Sequence, residues 1–376
     1  MTPPLRIAID GRSLRGERTG VGTYTANLLE QLLEVDADLT ALVVADGELP
    51  ALAGQATGRV RVARTRARSR NNLVWSNLRL PPLVRGAAID LFHSPGYTLP
   101  LRLGVPSIVS LHDVSYAACP RWYPNRGGAL RALWYRASAR RAHTVVTISE
   151  FSRREILRVY GLPPRRVRVV YLGVDGRRFR PGLAPERIEA LRRRYALARD
   201  FVLFVGDIHP RRNVERMVEA VETVRRSEPA LCGLELVLAG RVLEANRDYG
   251  ALAHVRHLGY VPEADLTLLY NAARVFLFPS FYEGFGLGVL EAMACGCPVV
   301  VGRDTACDEV AAAAGLAVDP SDTSSIAEAL VALLANPDLA ARKRACALAR
   351  AAAFTWRRTA EETFSVYRDA VAEARA

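Results

Sequence analysis

Two carboxylates eight residues apart, Glu283 and Glu291, lie in the run Phe278-Pro279-Ser280-Phe281-Tyr282-Glu283-Gly284-Phe285-Gly286-Leu287-Gly288-Val289-Leu290-Glu291-Ala292-Met293-Ala294. An apolar strand, Val275 to Phe278, enters a Pro-Ser turn and a glycine-rich loop, and a helix opens near Gly286. A strand–loop–helix junction presents free backbone N–H groups and the positive end of the helix dipole, surroundings that suit a phosphate. Gly284 and Gly286 allow the backbone close to a ligand. Carboxylates cannot be there to hold phosphate; they suit accepting hydrogen bonds from sugar hydroxyls. Phosphate and hydroxyls together read as a sugar nucleotide. The plain alternative is a solvated loop glutamate and a helix-surface one, since glutamate is mostly exposed.

Other groups sit where strands end. Phe204-Val205-Gly206-Asp207-Ile208-His209-Pro210-Arg211-Arg212-Asn213 closes one strand, with Asn213 placed to cap the helix that follows. Arg211 and Arg212 at a helix start make an oxyanion site or a solvated basic turn. Ser110-Leu111-His112-Asp113-Val114-Ser115 follows another strand, and a His-Asp pair there can hold a sugar hydroxyl or relay a proton. A structural histidine is the competing reading, and His93 keeps it. Thr19-Gly20-Val21-Gly22-Thr23-Tyr24 opens a helix after the strand ending at Asp10; it lacks the third glycine of a dinucleotide fingerprint. Ser149 and Ser152 serve equally as a helix cap or as a site lining. Cys295 and Cys297 are too close for a zinc knuckle, no histidine spacing suggests a metal, and the six cysteines read as small reduced residues.

Short Val- and Ile-rich runs alternate with helical patterns over all 376 residues, predicting an α/β protein with parallel sheets covered on both faces. The predicted strands are Ile7–Asp10, Ala41–Ala45, Ile89–His93, Ser107–His112, Thr144–Ile148 and Val167–Tyr171 in the first half. Phe201–Gly206, Glu235–Gly240, Val275–Phe278 and Pro298–Val301 follow in the second. Ligand sites of parallel sheets lie at such C-terminal strand ends. The polar, proline-containing stretch from Arg177 to Pro185 predicts a domain boundary near residue 180. No apolar run spans a bilayer and no signal-peptide core is visible, so the chain is expected in the cytoplasm or on the cytoplasmic membrane face.

The motif from Pro279 to Val300, with Glu283 and Glu291 matching its two glutamates, resembles the E-x7-E signature of retaining glycosyltransferases of family 4, also called group 1. The resemblance runs from Gly20 to the C-terminal helix. It implies a GT-B fold: two Rossmann-like domains, residues 1–180 and 181–355, facing across a cleft, with a final helix over about 356–376 crossing back to the first. It implies nucleotide-sugar binding by the second domain and acceptor binding by the first. Glu291 would take ribose hydroxyls, Glu283 hydroxyls of the transferred sugar, and Arg211 and Arg212 the diphosphate, with Gly284, Phe285, Gly286, Leu287 and Gly206 around the donor. His112 would lie beside the transferred sugar, and Gly20, Gly22 and Thr23 would face donor phosphates and acceptor. Arg212 stands where the family usually has Lys, and Asp207 where many members carry Arg. The resemblance further implies retention of configuration and no metal cofactor. The closest likeness is to bacterial mannosyltransferases of polysaccharide assembly, which makes GDP-mannose the first donor to consider, ahead of UDP-hexoses and dTDP-rhamnose. A sugar-nucleotide epimerase of the same fold is the nearest competitor.

The formal charge is +12, unevenly spread: residues 1–180 hold 28 arginines against 13 acidic residues. Such a half suggests an anionic partner. Arg59, Arg61, Arg64, Arg66, Arg68 and Arg70 are expected to alternate along a strand, near an exposed Trp75 and Leu78. Arg126, Arg131, Arg136, Arg140 and Arg141 share a helical stretch with Leu130, Leu133, Trp134 and Tyr135. Cations beside exposed apolar groups suit an anionic bilayer or a lipid-diphosphate-linked acceptor; a solvated face is the alternative. No nucleic-acid motif accompanies the charge, and no nucleic-acid partner is expected.

Overall fold

A computed structural model describes residues 3–16, 19–65, 69, 71–100, 102–123, 129–197, 200–243 and 249–376, apart from the side chains of residues 129 and 130. The chain divides into two compact units, Met1–Gly173 with Trp356–Ala376, and Val174–Thr355. The sequence placed the division near 180. It comes earlier because Phe179 already belongs to the second unit: its ring meets Tyr270 edge-on at 6.1 Å, and the Arg180 carbonyl accepts from Asn271 Nδ2 at 3.0 Å.

The first unit is a seven-stranded sheet in the order β3-β2-β1-β4-β5-β6-β7. Its strands are β1 (Arg6–Asp10), β2 (Thr40–Asp46), β3 (Val60–Thr65), β4 (Leu91–Ser94), β5 (Ser107–Ser110), β6 (Thr144–Thr147) and β7 (Val167–Val169), every pair parallel. β1 is apolar at successive positions because helices cover both faces, and Ile7, Ala8 and Ile9 are all buried. Strand order reverses between β1 and β4, where open α/β sheets bind ligands. Helix Gly20–Val35 is capped by Thr19, whose Oγ1 accepts from the Gly22 N–H at 3.3 Å. Its Leu28 and Leu32 face inward, and the C-terminal helix Trp356–Arg375 lies against it. All four tryptophans, Trp75, Trp122, Trp134 and Trp356, are in this unit.

The basic segment departs from expectation. Arg66, Arg68, Arg70 and Arg126 lie outside the described residues, as does the Leu130 side chain. Arg61 and Arg64 are three apart on β3, an odd spacing that puts them on opposite faces. Arg59 instead closes the end of helix Gly20–Val35, donating to the Leu33 carbonyl at 2.9 Å and to that of Asp36. Trp75 is fully buried and donates from Nε1 to Asp10 at 3.2 Å. Leu78 is exposed as expected, at 70%, and so is Leu133 at 61%.

The second unit is a six-stranded parallel sheet, order β10-β9-β8-β11-β12-β13, formed by β8 (Phe201–Val205), β9 (Glu235–Ala239), β10 (Val255–Gly259), β11 (Val275–Phe278), β12 (Val299–Gly302) and β13 (Leu316–Val318). The edge strands β10 and β13 were not read from sequence. β10 carries Arg256 and His257 with little apolar pattern, and β13 has three residues. The order again reverses at the central strand, so β8 and β11 end side by side.

Candidate active site

The loops after β8 and β11 bring Arg211, Arg212 and Glu283 together. Arg211 Nη1 lies 3.2 Å from Glu283 Oε2, and Arg212 Nε lies 3.0 Å from Oε1. All three side chains are at least four-fifths buried, with exposures of 16, 18 and 10%. Two guanidiniums on one carboxylate leave one positive charge in excess, in surroundings that screen it less than water does. Each arginine is further fixed. Arg211 Nη1 donates to the Tyr282 carbonyl at 3.2 Å, and the Phe281 N–H returns a bond to the Arg211 carbonyl at 2.9 Å. Arg212 Nη1 donates to the Asp207 carbonyl at 3.1 Å and the guanidinium lies over Phe278. Gly206 explains how Arg212 fits: its φ is +143°, and a Cβ there would fall on the Arg212 guanidinium. Asn213 occupies the cap position in the left-handed region without capping. Its amide donates to the carbonyls of Pro279, at 3.1 Å, and Pro320, at 2.6 Å, tying the loops together.

Helix Leu287–Ala294 opens at Gly286, φ +93°, a cap residue with no side chain to bond the first N–H groups. A Cβ on Gly286 would sit 2.6 Å from Cys307 Sγ, so only glycine lets this helix start pack on its neighbour. Gly284, Phe285 and Leu287 belong to the same turn, and Phe285 is buried. Glu291 is one turn in, half-buried, and accepts from the Tyr270 hydroxyl at 3.0 Å. Burial pushes its carboxyl up to about 7, against the opposing pull of that hydroxyl and of Arg178. Arg178 was missed by sequence reasoning. It lies in a stretch read as linker, pairs with Glu263, and its own charge is disfavoured by burial. Among the described residues no three His, Cys, Asp or Glu side chains converge as metal ligands.

In the first unit His112 lies two residues beyond β5. Its Nε2 is 3.0 Å from the Pro95 carbonyl, which can only accept, so that nitrogen carries the proton and Nδ1 is the accepting one. Burial lowers the ring's pKa and keeps it neutral. Asp113, its sequence neighbour, turns instead to Ser115, accepting from its N–H at 3.0 Å and hydroxyl at 2.9 Å. Ser149 caps helix Glu150–Tyr160, and Ser152 Oγ donates to the His112 carbonyl at 3.0 Å. His93 is fully buried between Tyr367 Oη (2.6 Å) and Ser110 Oγ (2.8 Å); Ser110 Oγ also meets Tyr24 Oη, whose ring stands edge-on to His112. Gly22 is buried where a Cβ would strike the Ser13 carbonyl, while Gly20 and Thr23 lie nearer the surface. At the end of β1 a further cluster escaped the sequence reading: Asp10 holds Arg12 at 3.0 Å, and Arg12 stacks on Trp75.

Comparison with known proteins bears on the family and the fold. Residues 18–178 match the family model described as Glycosyltransferase Family 4, and residues 199–336 the one described as Glycosyl transferases group 1. The chain is 33% identical over 287 residues to the O-antigen chain mannosyltransferase B of Escherichia coli, covering 74% of each chain. Two solved structures share the fold. Sucrose-phosphate synthase from Thermosynechococcus elongatus superposes with a TM-score of 0.75 at 20% identity, over 98% of this chain and all of that one. The Anabaena protein HepE, crystallised with UDP and glucose, gives 0.71 at 19% identity, over 97% and 99%. Both sheets, the glutamate motif and these likenesses lead to one assignment: the chain belongs to the family 4, group 1 glycosyltransferases and has the GT-B fold.

Proposed function

We propose that the protein transfers a hexose from a nucleotide sugar, GDP-mannose first among candidates, to a glycan or lipid-diphosphate-linked acceptor in cell-envelope polysaccharide synthesis. The single observation carrying this reading is the grip of Arg211 and Arg212 on Glu283 beside the uncapped helix start at Gly286. A diphosphate leaving group develops negative charge as the glycosidic bond breaks. Two fixed guanidiniums and preorganised N–H groups stabilise it without reorganising. Glu283 then accepts from hydroxyls of the transferred sugar and Glu291 from those of the ribose. Gly206, Gly284, Phe285 and Leu287 shape the donor site. His112 presents Nδ1 to a sugar hydroxyl, and Gly20, Gly22 and Thr23 serve the acceptor side. The acceptor oxygen bonds to the anomeric carbon as the carbon–phosphate oxygen bond breaks, and the departing phosphate takes the hydroxyl proton. Attack from the face the phosphate leaves retains configuration and needs no metal or covalent carboxylate. Mannose as the sugar is supported by the O-antigen mannosyltransferase relative. Use of a nucleotide sugar is supported by the UDP-bound fold relative.

The test is a thermal-shift panel of GDP, UDP and dTDP, followed by turnover of the matching nucleotide sugar with and without a methyl glycoside acceptor. GDP is expected to shift melting most, and GDP-mannose to be consumed only with acceptor, in excess chelator as well as without it. Consumption of free donor by epimerisation, or loss of activity to chelator with rescue by magnesium or manganese, would overturn the mechanism. A dominant shift by UDP or dTDP would overturn the donor.

A further inference from the structure

Tyr97 is the one aromatic residue with positive φ among the described residues, at +64°. The Thr98 N–H donates to the Gly96 carbonyl at 2.7 Å, so Tyr97 is the centre of a three-residue turn of the strained, positive-φ form. Three elements hold the turn. The Tyr97 N–H donates to the Ser110 carbonyl at 3.2 Å, His112 Nε2 to the Pro95 carbonyl, and the Leu99 N–H to Ser138 Oγ at 3.0 Å. A bulky side chain kept in this region is strain that the surroundings maintain, and such strain gathers at ligand clamps. It aims the ring: Tyr97 stacks on Tyr135 at 5.2 Å and 25°, meets Tyr116 edge-on at 6.2 Å, and lies 6.1 Å from the His112 ring. Tyr97, Tyr116 and Tyr135 all stay half-buried, so they form a wall and not an interior.

We propose that this wall is the acceptor subsite, on which the C–H face of a pyranoside ring packs beside His112, whose Nδ1 stays with the transferred sugar. Aromatic faces supply apolar area that a sugar's C–H face can cover. The proposal deepens the transferase reading and rests on it. The test is saturation-transfer NMR with methyl α-mannopyranoside and methyl β-glucopyranoside on wild type, Tyr97→Gly and Tyr135→Leu. Glycine suits the positive φ and leucine suits the helix, so both variants should fold, and each is measured below its own melting transition because it loses ring packing. At least one glycoside should receive saturation from the wild type, and binding should be about fivefold weaker in both variants, with the nucleotide-induced thermal shift unchanged. No saturation of either glycoside by the wild type, or equal saturation by the folded variants, overturns the subsite. A wild type that binds glycoside but no nucleotide would refute the transferase reading and leave the wall standing.

Discussion

Replacing Glu291 with Gln should abolish a proton release that accompanies donor binding. The carboxyl is pushed up to about 7 by burial, so at pH 7 about half the free protein carries it protonated. Ribose hydroxyls donate, and only the ionised form accepts with both oxygens. Binding therefore expels about half a proton at pH 7, close to one at pH 6 and almost none at pH 8.5. Affinity should weaken about tenfold from pH 8.5 to pH 6 for the same reason. GDP-mannose is the right titrant because its diphosphate has no proton to lose near neutrality. Calorimetry at pH 7 in two buffers of different ionisation enthalpy reads the release directly. An enthalpy independent of buffer, or a release that survives in Glu291→Gln, refutes the assignment of this carboxylate to the ribose. The same group bears on stability. Below pH 4.5 it is protonated folded or unfolded and contributes nothing. As pH rises the unfolded chain ionises first, so stability falls until about pH 7 and stays lower above it. The loss is about 1–3 kcal/mol after allowing for partial solvent access. Glu291→Gln should therefore gain stability at pH 8 and none at pH 4.5, in matched denaturant titrations.

Glu283→Ala should fold yet lower turnover by about 10²-fold or more, because Arg211 and Arg212 lose the group that aligns them; wild-type kinetics would remove Glu283 from the site. Gly206→Ala should lower kcat as far as Arg212→Ala does, since its Cβ displaces that guanidinium, and a folded variant with normal kcat would show that the position of Arg212 is immaterial. We further propose that exposed Leu78, and exposed Leu133 at helical spacing from exposed Arg136 and Arg140 on helix Ala129–Arg141, rest on an anionic bilayer. The protein should then sediment with anionic but not neutral vesicles, less as salt rises and less after Leu78→Ser with Leu133→Ser. Equal recovery with both vesicles would leave a merely basic surface.

The central strands and the loop that carries Glu283 were legible because each signal is local. β11 coincides with its predicted span, Val275–Phe278, and Glu283, Gly286 and Glu291 lie within nine residues on one strand–loop–helix unit. What could not be read depends on distant partners. Trp75 looked like a surface aromatic among cations, but Asp10, 65 residues away, takes its N–H and draws it into the core. Arg178 looked like linker until the fold set it near Glu291, and Tyr97 carried no pattern because its backbone conformation comes from bonds to residues 110 and 138 on other elements. The six-arginine alternation failed on spacing: Arg61 to Arg64 is an odd step, which a strand converts into opposite faces.

The placement of the tryptophans has a use. With Trp75, Trp122, Trp134 and Trp356 in the unit that carries His112, and none in the unit that carries Glu283, the molecule is optically one-sided. Tryptophan emission is a native reporter for the half that we assign to the acceptor, and the unit that carries Glu291 adds no tryptophan signal of its own. An emission change on adding nucleotide would show that the tryptophan-bearing unit feels the ligand, by direct contact or by rearrangement. A single cuvette, with no label attached, can therefore follow that unit alone while the rest of the chain stays dark.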